Sequence, residues 1–196
     1  MHFVFDLLQG LGIAAAIGIR PFLPVVLAGA LAAGNTGLDF DGTSFAFLEQ
    51  WWFWVLVLVV VLGLDLALRR RGSDTPDLGL LEWALAGVAI ALGALEAAGS
   101  LADRDYPWIV GLLAGAAVAL LGFLATRSLF GRVRRRLDRE AAAALPYYGE
   151  GVALLAAGAS ILFPPLAILV IAGLVWLLAG GRRRAGEKYA GLRILR

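Results

Sequence analysis

Long apolar blocks separated by short polar stretches run along the whole chain, over 10–34, 51–68, 80–100, 107–126 and 146–181. Each of the first four has the length of one membrane-spanning helix, which takes about 20 apolar residues. The last is too long for one helix, and Pro164-Pro165 breaks it. Proline lacks the N–H that continues the ladder and pushes its predecessor out of helical geometry. That block therefore predicts a helical hairpin over 147–163 and 165–180. The pattern predicts an all-α, polytopic membrane protein with six transmembrane helices. It forms one domain over 1–196, with halves 1–101 and 102–181 and a basic tail over 182–196.

Composition narrows the class. The chain is 61% hydrophobic and 16% charged, and its mean hydropathy is +0.84. Soluble domains average about 45–50% apolar, and one this small keeps too much wet surface to hide the excess. A cytosolic enzyme, a disordered chain and a secreted disulfide scaffold are excluded. With no cysteine, and the one histidine at position 2, thiolate chemistry and the usual zinc and haem ligation are excluded too. No cofactor is expected. The N-terminus has no basic n-region and carries Asp6, so it reads as an uncleaved first span.

The basic residues test the span count. Arg69–Arg71 follow the second block, Arg127 to Arg139 the fourth, and Arg182 to Arg196 the last; with six spans, fifteen of the 17 Lys and Arg fall on one face. The other face has Arg104 between Asp103 and Asp105, and an acidic loop with Asp39, Asp41 and Glu49. The positive-inside rule then places both termini in the cytoplasm. The arginine clusters are expected to set orientation and touch anionic lipid head groups of the bilayer, and no nucleic acid is expected.

The halves share a thin pattern. Leu7-Leu8-Gln9-Gly10 precedes Gly18-Ile19-Arg20-Pro21-Phe22-Leu23, as Leu112-Leu113-Ala114-Gly115 precedes Ala125-Thr126-Arg127-Ser128-Leu129-Phe130. Three spans per half would make this an inverted 3+3 repeat, as in many transporters.

Arg20 is the exceptional residue. Ten residues from Gly10, at about 1.5 Å each, place it about 15 Å deep, near the midplane of a core about 30 Å thick. An arginine there costs at least about 2.5–3.5 kcal/mol on insertion scales, so it should face protein or water. Pro21 and Pro24 take the helical donors from the carbonyls of Ile17 and Arg20, predicting a kinked or broken first helix. Free carbonyls beside a guanidinium make Arg20, Pro21 and Pro24 a candidate substrate site for an anion or lipid head group; the alternative is a structural pin. Glu96, late in the third span, is the expected partner of Arg20 and completes that set. Asp65 is placed to pair with Arg69 at i,i+4. Asp77 and Glu82 suit the start of the third helix. Glu150, between two glycines at the expected start of the fifth helix, is a candidate gate or ion-pair residue together with Asp65. Gly111 and Gly115 form a GxxxG motif for close helix packing, within the bundle or across a homo-oligomer. The tryptophans near the block ends read as interfacial belts.

The tract Ala14-Ala15-Ala16-Ile17-Gly18-Ile19-Arg20-Pro21-Phe22-Leu23-Pro24 resembles the opening motif of an uncharacterised bacterial membrane-protein family, domain-of-unknown-function family 4126. Gln50-Trp51-Trp52 with a β-branched span ending at Asp65, and the tail Lys188-Tyr189-Ala190-Gly191-Leu192-Arg193, are similar too. Arg69-Arg70-Arg71 departs from the acidic–basic–proline turn expected after Asp65. The resemblance implies a bacterial inner-membrane location and no established chemistry. The expected function is a small transporter or channel. The alternatives are a scaffold that docks a partner through the GxxxG face and, less favoured, a lipid-active enzyme whose acid–base groups would have to be Asp, Glu or Tyr.

Overall fold

The computed structural model describes residues 2–70, 78–134 and 136–190, and among these it is helical with no strand. The helices are α1 (His2–Ile19), α2 (Phe22–Ala33), α3 (Trp51–Arg70), α4 (Leu78–Ala102), α5 (Trp108–Arg134), α6 (Arg139–Leu162) and α7 (Leu166–Ala190). A 3-10 turn over Ala46–Glu49 precedes α3. Among the described residues α1, α3, α4 and α5 are long and apolar enough to cross a membrane, while α2 and Leu166–Gly180 are shorter apolar helices.

α1 is the centre of the bundle, packed against α4, α5, α6 and α7. Ile13, Ala14, Ala15, Ala16 and Ile17 are fully buried. Small residues let this helix approach its neighbours at backbone distance, where dispersion is strongest. A Cβ on Gly10 would lie 2.9 Å from the Ala97 Cα. One on Gly12 would overlap Ser160, and one on Gly18 would overlap the Ala119 carbonyl. The GxxxG pair resolves the same way: Gly111 faces the Ala97 carbonyl and Gly115 the Gly93 carbonyl, both on α4. This motif therefore packs within the chain, and α4 already occupies the face that a partner would need. By contrast α3 lies on the outside, with Trp51, Val55, Val59, Leu62 and Leu66 exposed along one face.

The first helix is broken and also reversed. The Arg20 N–H still donates to the Ala16 carbonyl at 3.0 Å, and α2 starts two residues later with Pro21 as its N-cap. Gln9 Nε2 donates to the Gly37 carbonyl at 2.7 Å, so α2 must run back alongside α1. The pair is a helical hairpin with Arg20 at its tip. A single kinked span would instead have carried Gly37 to the far end.

This reversal changes the topology expected from hydropathy. The start of α1 lies against the α4–α5 loop, through Asp6–Arg104 at 3.4 Å and the Ser100 hydroxyl donating to the Asp6 carbonyl. α7 runs in the same direction as α1: Ala167 lies beside Gly12, and farther along the Leu177 carbonyl accepts from Arg132. The start of α1 and the described end of α7 are thus at opposite ends, not on one side as six spans require. One end collects Asp6, Asp39, Asp41, Glu49, Asp103 and Arg104, and is called here the acidic end. The other, with Arg127, Arg132 and Arg134 of α5, is the basic end. The helices aligned as a repeat also run in the same direction: Asp6 meets Arg104 just before α5, and Gly18 meets Ala119 farther along it. Those two segments are parallel, so they do not form the expected inverted pair.

The α6 start also differs. Asp138 caps the helix by accepting from the Ala141 N–H at 2.8 Å, and Pro146 lies inside it. A capping aspartate followed by four alanines starts the helix two turns before the proline, whose missing N–H costs one bond there. Glu150 is therefore three turns into α6. The break at Pro164-Pro165 falls between α6 and α7 as the sequence predicts.

Candidate functional site

Two groups of polar side chains occupy the bundle, one at the hairpin tip and one at its mouth. At the tip, Arg20 leaves the end of α1 with its guanidinium carbon 5.9 Å from the centre of the Phe130 ring. That distance falls within cation–π range. Gly149 of α6 gives it room, since a Cβ there would stand 3.4 Å from Arg20 Nε. Glu150, next on α6, lies within electrostatic reach of Arg20 and Asp65 and accepts a hydrogen bond from the Leu23 N–H. That donor belongs to the first turn of α2, where free N–H groups and the helix dipole favour a negative charge. Pro21 and Pro24 are buried in this turn and donate nothing. Glu150 Oε2 is buried and lacks a hydrogen-bond partner among the described residues.

Four elements thus converge: the end of α1, the start of α2, α3 through Asp65, and α6. Gly18 lies level with Ala119, eight residues before Arg127, so the tip is about 10 Å inside the Arg127 level. The tip can hold an anion between a guanidinium and the amino end of a helix. In this structure that place is taken by a carboxylate of the chain itself.

Glu96 is not part of this group. Gly93 of α4 packs on Ala14, which sets Glu96 about 12 Å up the axis from Arg20, toward the acidic end. Both of its oxygens are buried with no hydrogen-bond partner among the described residues. The expected Arg20–Glu96 pair does not form, and the acid within electrostatic reach of Arg20 is Glu150. This follows from the reversal, because the tip faces the middle of α6 rather than the end of α4.

The mouth is built by the loop between α2 and α3. It folds over the α4 end with Phe40 and Leu48 fully buried. Glu49 Oε1 accepts the Phe40 N–H at 2.5 Å, and the Glu49 carboxylate acts electrostatically on Glu96. Burial holds the Glu49 carboxyl above the usual carboxylate range despite that bond, and Asp41, Asp39 and Asp103 add to the rise. Asp103 is raised by burial and by Asp39, against the Arg104 charge.

Of the remaining candidates, Glu82 pairs with Arg127, bridging α4 and α5 at the basic end. Asp77 and the Arg69 side chain lie outside the described residues. Asp6, Gln9 and Glu49 are buried polar residues that hydropathy alone does not single out. A signal was present: Asp6 and Gln9 are one turn apart on a helix whose other residues, after His2, are apolar or small. Such a stripe in a buried helix has to find partners.

Compared with family models, curated proteins and solved structures, the chain gives no match in any of the three.

Proposed function

We propose that this protein is a small membrane transporter that binds an anionic group at Arg20. One observation carries the reading: a helical hairpin turns back inside the bundle and brings a guanidinium, a helix amino end and two carboxylates from different helices together. Intramembrane charges at a broken helix are the usual makings of a substrate site. In this reading the basic end faces the cytoplasm of a bacterial inner membrane, and α3 to α7 cross it. α1 and α2 enter from the outside as a re-entrant hairpin, which is tolerated at membrane depth because protein surrounds it. Membership of domain-of-unknown-function family 4126 belongs to the same proposal. α4 packs on the Gly111–Gly115 face, so a scaffold reading would need a partner that docks elsewhere.

A phosphate on a free solute and one on a lipid head group offer the same chemistry to Arg20. Purified protein is therefore tested by thermal shift against inorganic phosphate, sulfate and short carboxylates, and in vesicles with and without phosphatidylglycerol. A ligand of the native state raises the midpoint by mass action. The best anion is then followed as uptake into proteoliposomes. Arg20→Gln is expected to abolish the shift and cut uptake at least tenfold while remaining folded. Uptake equal to wild type in that variant overturns the proposal.

A further inference from the structure

Glu96 is fully buried, and neither of its oxygens has a hydrogen-bond partner among the described residues. An ionised carboxylate left in that state has lost its water and gained nothing in return, so the charged form is strongly disfavoured. Among the described residues no cation is placed to compensate it, and the charge that acts on it is that of Glu49. On α1, Asp6 is paired with Arg104, and Gln9 is neutral and engaged with the Gly37 and Ile161 carbonyls. α2 has no charged residue, and those of α3, α5 and α6 lie at the tip or the basic end. The remaining groups at this end are His2 at the start of α1, which acts on Asp6, and acids: Glu49 on the 3-10 turn, Asp39 and Asp41 in the loop, and Asp103 after α4.

The geometry draws Glu96 and Glu49 into one enclosure. Gly99 lies a turn beyond Glu96, where a Cβ would be 3.0 Å from the Phe40 ring and 3.4 Å from Leu48 Cδ1. Phe40 and Leu48 are the residues that hold Glu49 over this part of α4. Two neighbouring carboxyls, one of them fully buried, do not readily ionise together. A metal ion fits poorly, because it needs a shell of several oxygens. No group of three or more His, Cys, Asp or Glu side chains is placed to supply one among the described residues.

We infer that Glu96 and Glu49 form a proton-binding carboxyl pair at the mouth of the hairpin, holding one exchangeable proton that enters through the acid-lined end. Asp39, Asp41 and Asp103 concentrate cations at that entrance. Proton binding stands on the enclosure itself. Its use as the coupling step for an anion rests on the transport reading above, in which a proton admitted at the mouth offsets the charge of a solute held at the tip.

Infrared difference spectroscopy of the full chain in lipid, stepped from pH 5 to pH 9, reads the proton directly. Wild type is expected to show a protonated-carboxyl C=O band at neutral pH that shifts in D2O and disappears on alkalinisation. Glu96→Gln, nearly isosteric and permanently neutral, is expected to remove it. Glu49→Gln should move its loss to lower pH, because it deletes the neighbouring negative charge. Arg20→Gln should leave the band intact, so a failed transport assay and a failed proton site give different results. Thermal midpoints supply the second readout. A carboxyl held protonated when folded but titrating at about 4.3 when unfolded loses stability as pH rises above that value. The wild-type midpoint should therefore fall toward pH 9, and the Glu96→Gln midpoint should fall less. A band that survives Glu96→Gln, or a wild type with no such band and a flat profile, overturns the inference.

Discussion

Gly18 has no room for a side chain, because a Cβ would sit 2.2 Å from the Ala119 carbonyl oxygen. Gly122 on the same stretch of α5 would overlap the Ala15 carbonyl at 2.7 Å. The interface that fixes the depth of Arg20 thus depends on missing methyl groups. Gly18→Val should destabilise the protein by about 1–3 kcal/mol, the usual range for overpacking. Gly63→Val, where nothing lies within 4 Å of the added Cβ, should stay within about 0.5 kcal/mol. Denaturation midpoints in one detergent compare the two; equal losses would mean that α1 and α5 are not in close contact. At this scale Arg20 was legible, since a guanidinium inside an apolar block needs no structure to be noticed. Its partner was not. Glu96 and Glu150 are both acids in apolar surroundings, and choosing between them requires the direction of α2, which no single residue encodes.

The reversal of α2 is a property of the hairpin as a unit. Pro21 and Pro24 announce that the first helix breaks, and it does so at Arg20. A proline break frees carbonyls and removes a ladder bond, but it leaves the exit angle open. The angle is set by contacts 28 and 152 residues away, where Gln9 Nε2 reaches the Gly37 and Ile161 carbonyls at 2.7 and 3.4 Å. Hydropathy cannot see such a bond, so 10–34 reads as one kinked span. Gln9→Ala removes the donor to the part-buried Gly37 carbonyl and the buried Ile161 carbonyl, a loss of about 1–3 kcal/mol. Amide exchange should then rise selectively in α2 and the loop that follows it, with α4 and α5 unchanged. Uniform exchange across all helices would show that Gln9 supports the bundle generally and is not the clasp of the hairpin. The other proline pair was easier to read, because Pro164-Pro165 stands between two apolar runs and falls between α6 and α7.

For the whole molecule, the hairpin decides at which end of the bundle the start of α1 lies. A kinked single first span sends the start of α1 to the basic side; a there-and-back hairpin sends it to the acidic side. The arginine count cannot separate these, because α1 contains no Lys or Arg and the positive-inside rule weighs only those residues. The chain contains no cysteine, so single cysteines can be introduced without background. His2, Ser44 and Arg136 are all exposed, the first two at the acidic end and the third in the loop at the basic end. With a membrane-impermeant maleimide on intact cells, His2→Cys and Ser44→Cys are expected to label together, and Arg136→Cys only after the membrane is opened. Labelling of His2→Cys with Arg136→Cys would restore a single kinked span. The tip would then face the other way along the bundle, and the contact between Gln9 and Gly37 could not form. The same three variants thus test the topology and the premise on which Arg20 and Glu150 share a site.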